Sequence, residues 1–194
     1  RDAALIRLRV FNEDNQYTIN MGITDINGNV LIDASNSSLI GQNIFSIHPD
    51  LRQKVQGNRD AAFGDNITRS LTTGGWSLVL ISKVYDRYDI ANNRVIGYLY
   101  YMLDWSYLIK ERIEQLVIGE TGALFCVDET LTIKIHSKIE SINSTLPQDF
   151  SKTFEDKKGI INYVFNGEDR VAAYTTLTYR PWVLGISMTK QEIE

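Results

Sequence analysis

Side chains able to do chemistry near neutral pH are scarce in this chain of 194 residues. It has two histidines, His48 and His136, and one cysteine, Cys126. The histidines lie far apart, and no motif joins either to a nucleophile. There is no HExxH, Cys-x-x-Cys, Walker A, GxSxG or GxGxxG pattern. Zinc would need ligands that the chain hardly has. Cys126 sits among Leu124, Phe125 and Val127, the setting of a buried, inert thiol rather than an activated one. Gly119-Glu120-Thr121-Gly122 has the look of a phosphate loop but leads into a strand, so it lacks the helix N-terminus that holds phosphate and reads as a turn. No catalytic residue, metal or cofactor is therefore assigned.

The aromatic residues carry more. Along Val95-Ile96-Gly97-Tyr98-Leu99-Tyr100-Tyr101-Met102-Leu103-Asp104, strand alternation puts Tyr98, Tyr100, Met102 and Asp104 on one face. Leu99, Tyr101, Leu103 and Trp105 take the other. Two tyrosines and an aspartate on one face suit the wall of a small-ligand pocket, where Tyr offers apolar area and a hydroxyl. The alternative is a strand half-covered by a helix, with Asp104 capping the helix that opens at Trp105.

The elements that position these residues come in two similar sets. Met21 to Asp33 and Gly122 to His136 each read as an apolar strand, an Asp, a polar turn and a second strand. Asp25 and Asp128 occupy the same place in the two hairpins, which favours a side chain accepting from turn amides. Asn27-Gly28 predicts a type I′ turn in the first. Each hairpin is followed by a later Gly-bearing strand, at Gly97 and Gly185. Between them the pattern predicts a helix end at 2–11, a loop over 37–44, a short helix opened by His48-Pro49-Asp50 and ended by Gly57, and a strand within 61–70. Long strands follow at 76–84 and 94–104, then a helix over 105–116 with Leu108, Ile109, Ile113 and Leu116 on its apolar face. The second half repeats the plan with strands at 160–165, 170–178 and 181–188, an Asn166-Gly167 turn and one helix near 149–154. The fold class is α+β: two tandem modules, 1–105 and 106–194, each a roughly five-stranded antiparallel sheet flanked by helices.

Composition bounds the function. An apolar fraction of 43% supports a packed core. A net charge of −4 with scattered Lys and Arg lacks the basic face that nucleic acid requires. No apolar run approaches the roughly 18 residues of a membrane span. The chain opens at Arg1 without an initiator Met and is expected to be a piece of a longer protein.

With these residues in view, the chain resembles the double Cache (tandem PAS-like) ectodomains of bacterial and archaeal transmembrane receptors. Those receptors are histidine kinases, chemoreceptors and cyclic-nucleotide enzymes. The resemblance rests on Ile23 to Val30, Leu39 to Ile44, Ser82 to Asp86, Val95 to Leu99, Ile118 to Asp128, Ala172-Ala173-Tyr174 and Pro181 to Ser187. It implies an extracellular or periplasmic sensor without catalysis of its own, with a membrane-distal module at 1–105 that binds a small molecule. It also implies a membrane-proximal module that passes the change to a transmembrane helix, homodimerisation, and flanking membrane helices outside these residues. Residues 2–11 would be the end of a longer N-terminal helix. The implied ligand-binding residues are His48, Arg69, Ser70, Trp76, Leu78, Leu80, Ser82, Tyr98, Tyr100 and Asp104. Tyr and Trp would enclose the ligand, while Arg69 and Ser70 would meet a carboxylate or hydroxyl.

Two departures from the family pattern bear on the ligand. The Arg-x-Tyr-Phe run of carboxylate binders is replaced by His48-Pro49-Asp50-Leu51. The acidic residue that amino-acid binders carry five positions after the strand Gly is here Met102, with Asp at 104. The resemblance thus argues against an amino-acid ligand. The alternative to a membrane receptor is a cytosolic PAS/GAF-like regulatory module, and a transmembrane helix upstream would decide between them.

Overall fold

The computed structural model describes residues 2–35, 39–57, 59–89, 92–146, 150, 154, 156–165, 167–178 and 180–194. The chain divides into two compact units, Arg1–Ser106 and Tyr107–Glu194. The first opens with α1 (Asp2–Asp14), β1 (Thr18–Thr24), β2 (Val30–Asp33), α2 (Ile44–Ile47) and α3 (Pro49–Gln56). It continues with β3 (Ala61–Phe63), β4 (Thr68–Arg69), β5 (Trp76–Tyr85) and β6 (Val95–Asp104). These make a six-stranded antiparallel sheet in the order β2-β1-β6-β5-β3, with β4 also paired to β5. Then α4 (Trp105–Arg112) carries the chain into the second unit. There β7 (Ala123–Val127), β8 (Ile133–His136), β9 (Lys158–Phe165), β10 (Glu168–Thr176), β11 (Val183–Thr189) and α5 (Lys190–Ile193) follow. The second sheet is antiparallel with five strands in the order β8-β7-β11-β10-β9. The central order hairpin, closing strand, long strand is common to both sheets, as the two similar sequence sets imply.

The two hairpin turns share one geometry. In the first, Asp25 N–H donates to Asn29 O and Gly28 N–H to Asp25 O, with Gly28 at φ +91°. Asn27 is not left-handed, so the turn is not type I′. It is a three-residue loop, a turn closed by a left-handed residue and a bulge. Asp25 Oδ1 accepts from Asn27 N–H at 2.9 Å and Asn29 N–H at 2.8 Å. In the second, Asp128 Oδ1 accepts from Thr130 and Thr132 N–H at 3.0 and 2.9 Å, and the left-handed position is Leu131 at φ +63°. Lys134, only 2% exposed, pairs with Asp128 Oδ2 at 2.9 Å.

Helix boundaries differ from the sequence expectation where local chemistry overrides periodicity. Following α4, residues 113–115 form a turn, and Leu116 is exposed. The loop expected over 37–44 runs instead into α2, opened by Asn43, whose side chain accepts from Phe45 and Ser46 N–H. The helix expected near 149–154 lies mostly outside the described residues, as do residues 37–38 of the loop and Asn166 of the turn.

The core of the first unit lies on one face of its sheet. Val79, Ile81, Tyr98, Tyr100 and Met102 pack with Ile44, Phe45, Leu51 and Val55 of α2 and α3. Within it is a buried polar knot. Asp33 is fully buried, and its Oδ2 accepts from Tyr100 Oη at 2.6 Å and Asn20 Nδ2 at 2.8 Å. Its Oδ1 accepts from Ser35 N–H at 3.0 Å and Ser35 Oγ–H at 2.9 Å. Tyr100 reaches Asp33 across Gly22, where a Cβ would lie 2.4 Å from the Tyr100 hydroxyl and 2.3 Å from Ile32 O. We expect Tyr100→Phe to destabilise the first unit by about 1.5–3 kcal/mol, the range for hydrogen bonds to charged groups. Gly22→Ala should cost at least as much, because its methyl overlaps backbone as well as the tyrosine. Denaturant unfolding of each variant checks both, and an unchanged midpoint for Tyr100→Phe would contradict the ranking of this contact.

Candidate functional site

The concavity with buried polar groups sits on the core face of the first sheet. It is a cavity of about 200 Å³ bounded by the junction of α2 and α3, the hairpin from β4 to β5, and the end of β6. Leu39, Ile47, Leu71 and Met102 supply its apolar wall. Thr68, Ser70, Thr72 and Ser77 supply hydroxyls, and His48 and Arg69 complete it. A second, more open depression of about 440 Å³ lies at Gly57, Asp60, Lys83, Tyr85, Asn93 and Val95. Its polar groups are already engaged: Tyr85 Oη donates to Asp60 Oδ1, and Lys83 Nζ to Gly57 O.

His48 is placed by the chain on either side of it. Its N–H ends α2 on Ile44 O, and Pro49 opens α3. A residue before proline is pushed out of the helical region, and His48 takes φ −129°, ψ 77° between the two helices. The anchor of α2 is the first hairpin. Ile44 N–H donates to Gly28 O, and Asn43 Nδ2 donates to Asn27 O. Phe45 lies where a Cβ on Gly28 would be, 2.3 Å from its ring, and meets Tyr98 edge-on at 5.2 Å. His48 is 5% exposed, and its imidazole makes no hydrogen bond among the described residues. Burial holds its pKa below the usual histidine value, opposed by the charge of Asp50.

The rim is a tight turn. Ser70 N–H donates to Gly75 O, and Gly74, at φ +71°, donates back to Ser70 O. Ser70 Oγ accepts from Thr72 and Thr73 N–H, each at 3.2 Å. Its own proton has no acceptor among the described residues, although the residue is only 6% exposed.

Of the ten expected ligand-binding residues, His48, Arg69 and Ser70 line this cavity. Trp76, Leu78, Leu80 and Ser82 do not share a face with Tyr98 and Tyr100. The register pairs Leu78 with Leu103, Leu80 with Tyr101 and Ser82 with Leu99, so those three β5 side chains lie on the far side of the sheet. It is Ser77, Val79 and Ile81 that share the near face, paired with Asp104, Met102 and Tyr100. Trp76 pairs with Arg69 and carries its guanidinium 3.8 Å above the ring. Arg69 Nη1 also donates to Gly74 O, so its charge is held on the turn. Tyr98 and Tyr100 are core residues behind the cavity, with Tyr100 committed to Asp33. Asp104 is half-buried next to Ser77, and its N–H donates to Tyr17 O. Met102 lies on the face expected for Tyr98 and Tyr100, whereas Ser77 was not expected because residues 77–79 are all buried, which hides the alternation.

The second unit shows its own polar anchor. Glu192 of α5 accepts from Glu120 N–H at 2.6 Å, Thr121 N–H at 2.9 Å and Thr121 Oγ1–H. The loop that resembled a phosphate site thus holds a carboxylate from its own chain. Arg170 Nη2 braces the loop through Thr121 O at 2.7 Å. Cys126 is fully buried, and burial pushes its thiol up to about 12. Among the described residues no cluster of His, Cys, Asp or Glu could hold a metal ion, and no helix is long and apolar enough to cross a membrane.

The sequence matches the family model described as the Cache domain (dCache_1) over residues 3–194. The chain belongs to the Cache domain family. A comparison with curated proteins finds no match. Solved structures share the fold. One is the ligand-binding domain of the amino-acid chemoreceptor PctB of Pseudomonas aeruginosa in complex with L-Gln (TM-score 0.73, 13% identity, 98% of this chain and 76% of that one). Another is the sensor domain of the histidine kinase DctB of V. cholerae (TM-score 0.69, 14% identity, 97% and 78%). A third is an extracellular ligand-binding receptor of Desulfohalobium retbaense (TM-score 0.70, 16% identity, 97% of this chain), of which this chain spans a third of the length, 33%. In this Cache chain both histidines are held below their usual value, His136 by burial and the charge of Lys138. The unfolded chain then takes up more protons than the folded one as pH falls below about 6.5, so stability declines on acidification. Burial pushes the Asp25 and Asp128 carboxyls up, but hydrogen bonds, and for Asp128 the Lys134 ammonium, hold both below their ordinary value. Their contribution is retained above their ordinary 3.8 and lost as pH falls below it. We expect the denaturation midpoint to drop between about pH 7.5 and pH 5.5, and the drop to shrink in His48→Gln/His136→Gln; an equal drop in the double variant would contradict the assignment.

Proposed function

We propose that this Cache chain is the extracytoplasmic small-molecule-sensing domain of a transmembrane receptor. The ligand occupies the cavity of the first unit, which is the membrane-distal module, and the second unit is the membrane-proximal one. The observation that carries the reading is the cavity itself. It presents an imidazole and a hydroxyl proton that have no hydrogen-bond partner among the described residues, groups that a ligand could meet. Membership of the family and the relatives' identities as chemoreceptor and histidine-kinase sensors support the same reading. A homodimeric receptor with flanking membrane helices and an output domain of one of those types is the reading proposed for the whole protein.

Sensing here is a population shift. A ligand that binds one arrangement of the Ser70–Gly75 turn better than another moves the balance between them. The second unit offers a means of passing such a change on, because Glu192 ties the segment leaving it to the 119–121 loop through which the chain enters its sheet.

A thermal-shift screen against small acids, amino acids, amines, alcohols, nucleobases and sugars tests the binding role. A ligand at about 100 times its dissociation constant adds about 2.7 kcal/mol, a rise of about 5–10 °C for a chain of this size. The shift should vanish in Thr72→Trp, which fills the cavity from an exposed rim position; no shift from any compound, or one that survives this variant, would count against the cavity. For the second unit, Glu192→Gln should speed hydrogen exchange at the Glu120 and Thr121 amides, because the charge-assisted bonds to the carboxylate weaken. Unchanged exchange would show that the carboxylate does not hold the loop.

A further inference from the structure

We propose that the cavity takes an uncharged small molecule, a hydroxyl- or carbonyl-bearing compound on a short apolar skeleton. This deepens the sensing reading and rests on it. Among the described residues the wall contains one charged residue, Arg69, and its guanidinium is bonded to Gly74 O and stacked on Trp76. The register agrees: Arg69 pairs with Trp76, while Thr68 pairs with the cavity residue Ser77. No carboxylate lines the cavity among the described residues. Asp50, the acid whose charge acts on His48, accepts from Asp65 N–H at 2.7 Å and lies 3.9 Å from Lys54 Nζ. A ligand ammonium would therefore lose its water without gaining a counter-charge, and a carboxylate would have to draw the Arg69 guanidinium from Gly74 O and the face of Trp76.

The polar groups left over are neutral and complementary to a neutral ligand. Burial favours the uncharged imidazole of His48, which offers one N–H donor and one nitrogen acceptor. Ser70 adds an O–H donor that has no acceptor among the described residues. A hydroxyl or a primary amide satisfies such a set, since each both donates and accepts. Leu39, Ile47 and Met102 require an apolar skeleton beside it. The size is small, about 200 Å³.

Calorimetry with probes built on one three-carbon skeleton tests the class: propane-1,2-diol and lactamide (uncharged), L-lactate (anion), 2-aminopropan-1-ol (cation) and L-alanine (zwitterion). The diol or the amide should bind at least about tenfold more tightly than any charged member. That binding should fall by about tenfold or more in His48→Leu, with Thr72→Trp as a second variant that leaves the core untouched. Tighter binding of lactate, alanine or the amino alcohol, lost in Thr72→Trp, would overturn the ligand class while leaving the cavity as the sensing site. Binding of any member that survives both variants would overturn the cavity reading and the class with it. A folded protein that binds none of the five would overturn the class.

Discussion

A single buried carboxylate organises the first unit. Asp33 accepts four hydrogen bonds from Tyr100, Asn20 and Ser35, and an ionised carboxylate is an acceptor only, so this donor set fits it. The contacts join β1, β2 and β6, the three strands at one side of the sheet. A one-residue slip between them would send Tyr100 to the opposite face and leave the carboxylate unpaired, a cost larger than most single core changes. Register is thereby fixed, and with it the face on which Tyr98, Tyr100 and Met102 meet α2 and α3. The cavity is what remains at the end of that face, where Met102 and Ser77 lie under the rim turn.

The second constraint is the hairpin turn, which the chain builds twice by different means. In the first copy Gly28 adopts the left-handed conformation at no steric cost, and its missing side chain admits Phe45. In the second copy Leu131 takes that conformation, which costs about 1–2 kcal/mol for an L-residue. The Asp128 cap and its buried partner Lys134 offset that strain. In the first unit the turn also anchors a helix, α2, and that helix delivers His48 to the cavity.

Much of this was legible in the residues. The paired Asp turns, the long strands of the two sheets and Pro49 at the start of α3 follow from local chemistry that nothing overrides. The face of β6 was legible too, because Tyr and Leu alternate along it. The face of β5 was not. Ser77, Leu78 and Val79 are all buried, so hydropathy carries no phase, and only the register to β6 reveals that Trp76, Leu78, Leu80 and Ser82 point away from the tyrosines. Arg69 shows a second limit. Its type fits an anion anchor, but a bond to Gly74 O and the face of Trp76 compete for the guanidinium, and neither can be read from spacing. The Tyr100–Asp33 contact joins residues far apart in sequence and depends on Gly22 having no side chain, a condition visible only in three dimensions.

Sensing at this cavity requires that a ligand reach His48. The chain has one histidine in each unit, so the imidazole nitrogens give two signals in an NMR spectrum of protein labelled at histidine. Titration with the compound giving the largest thermal shift should move the His48 nitrogens and leave those of His136 in place. Saturating binding that leaves His48 unmoved would contradict the assignment of the cavity as the sensing site.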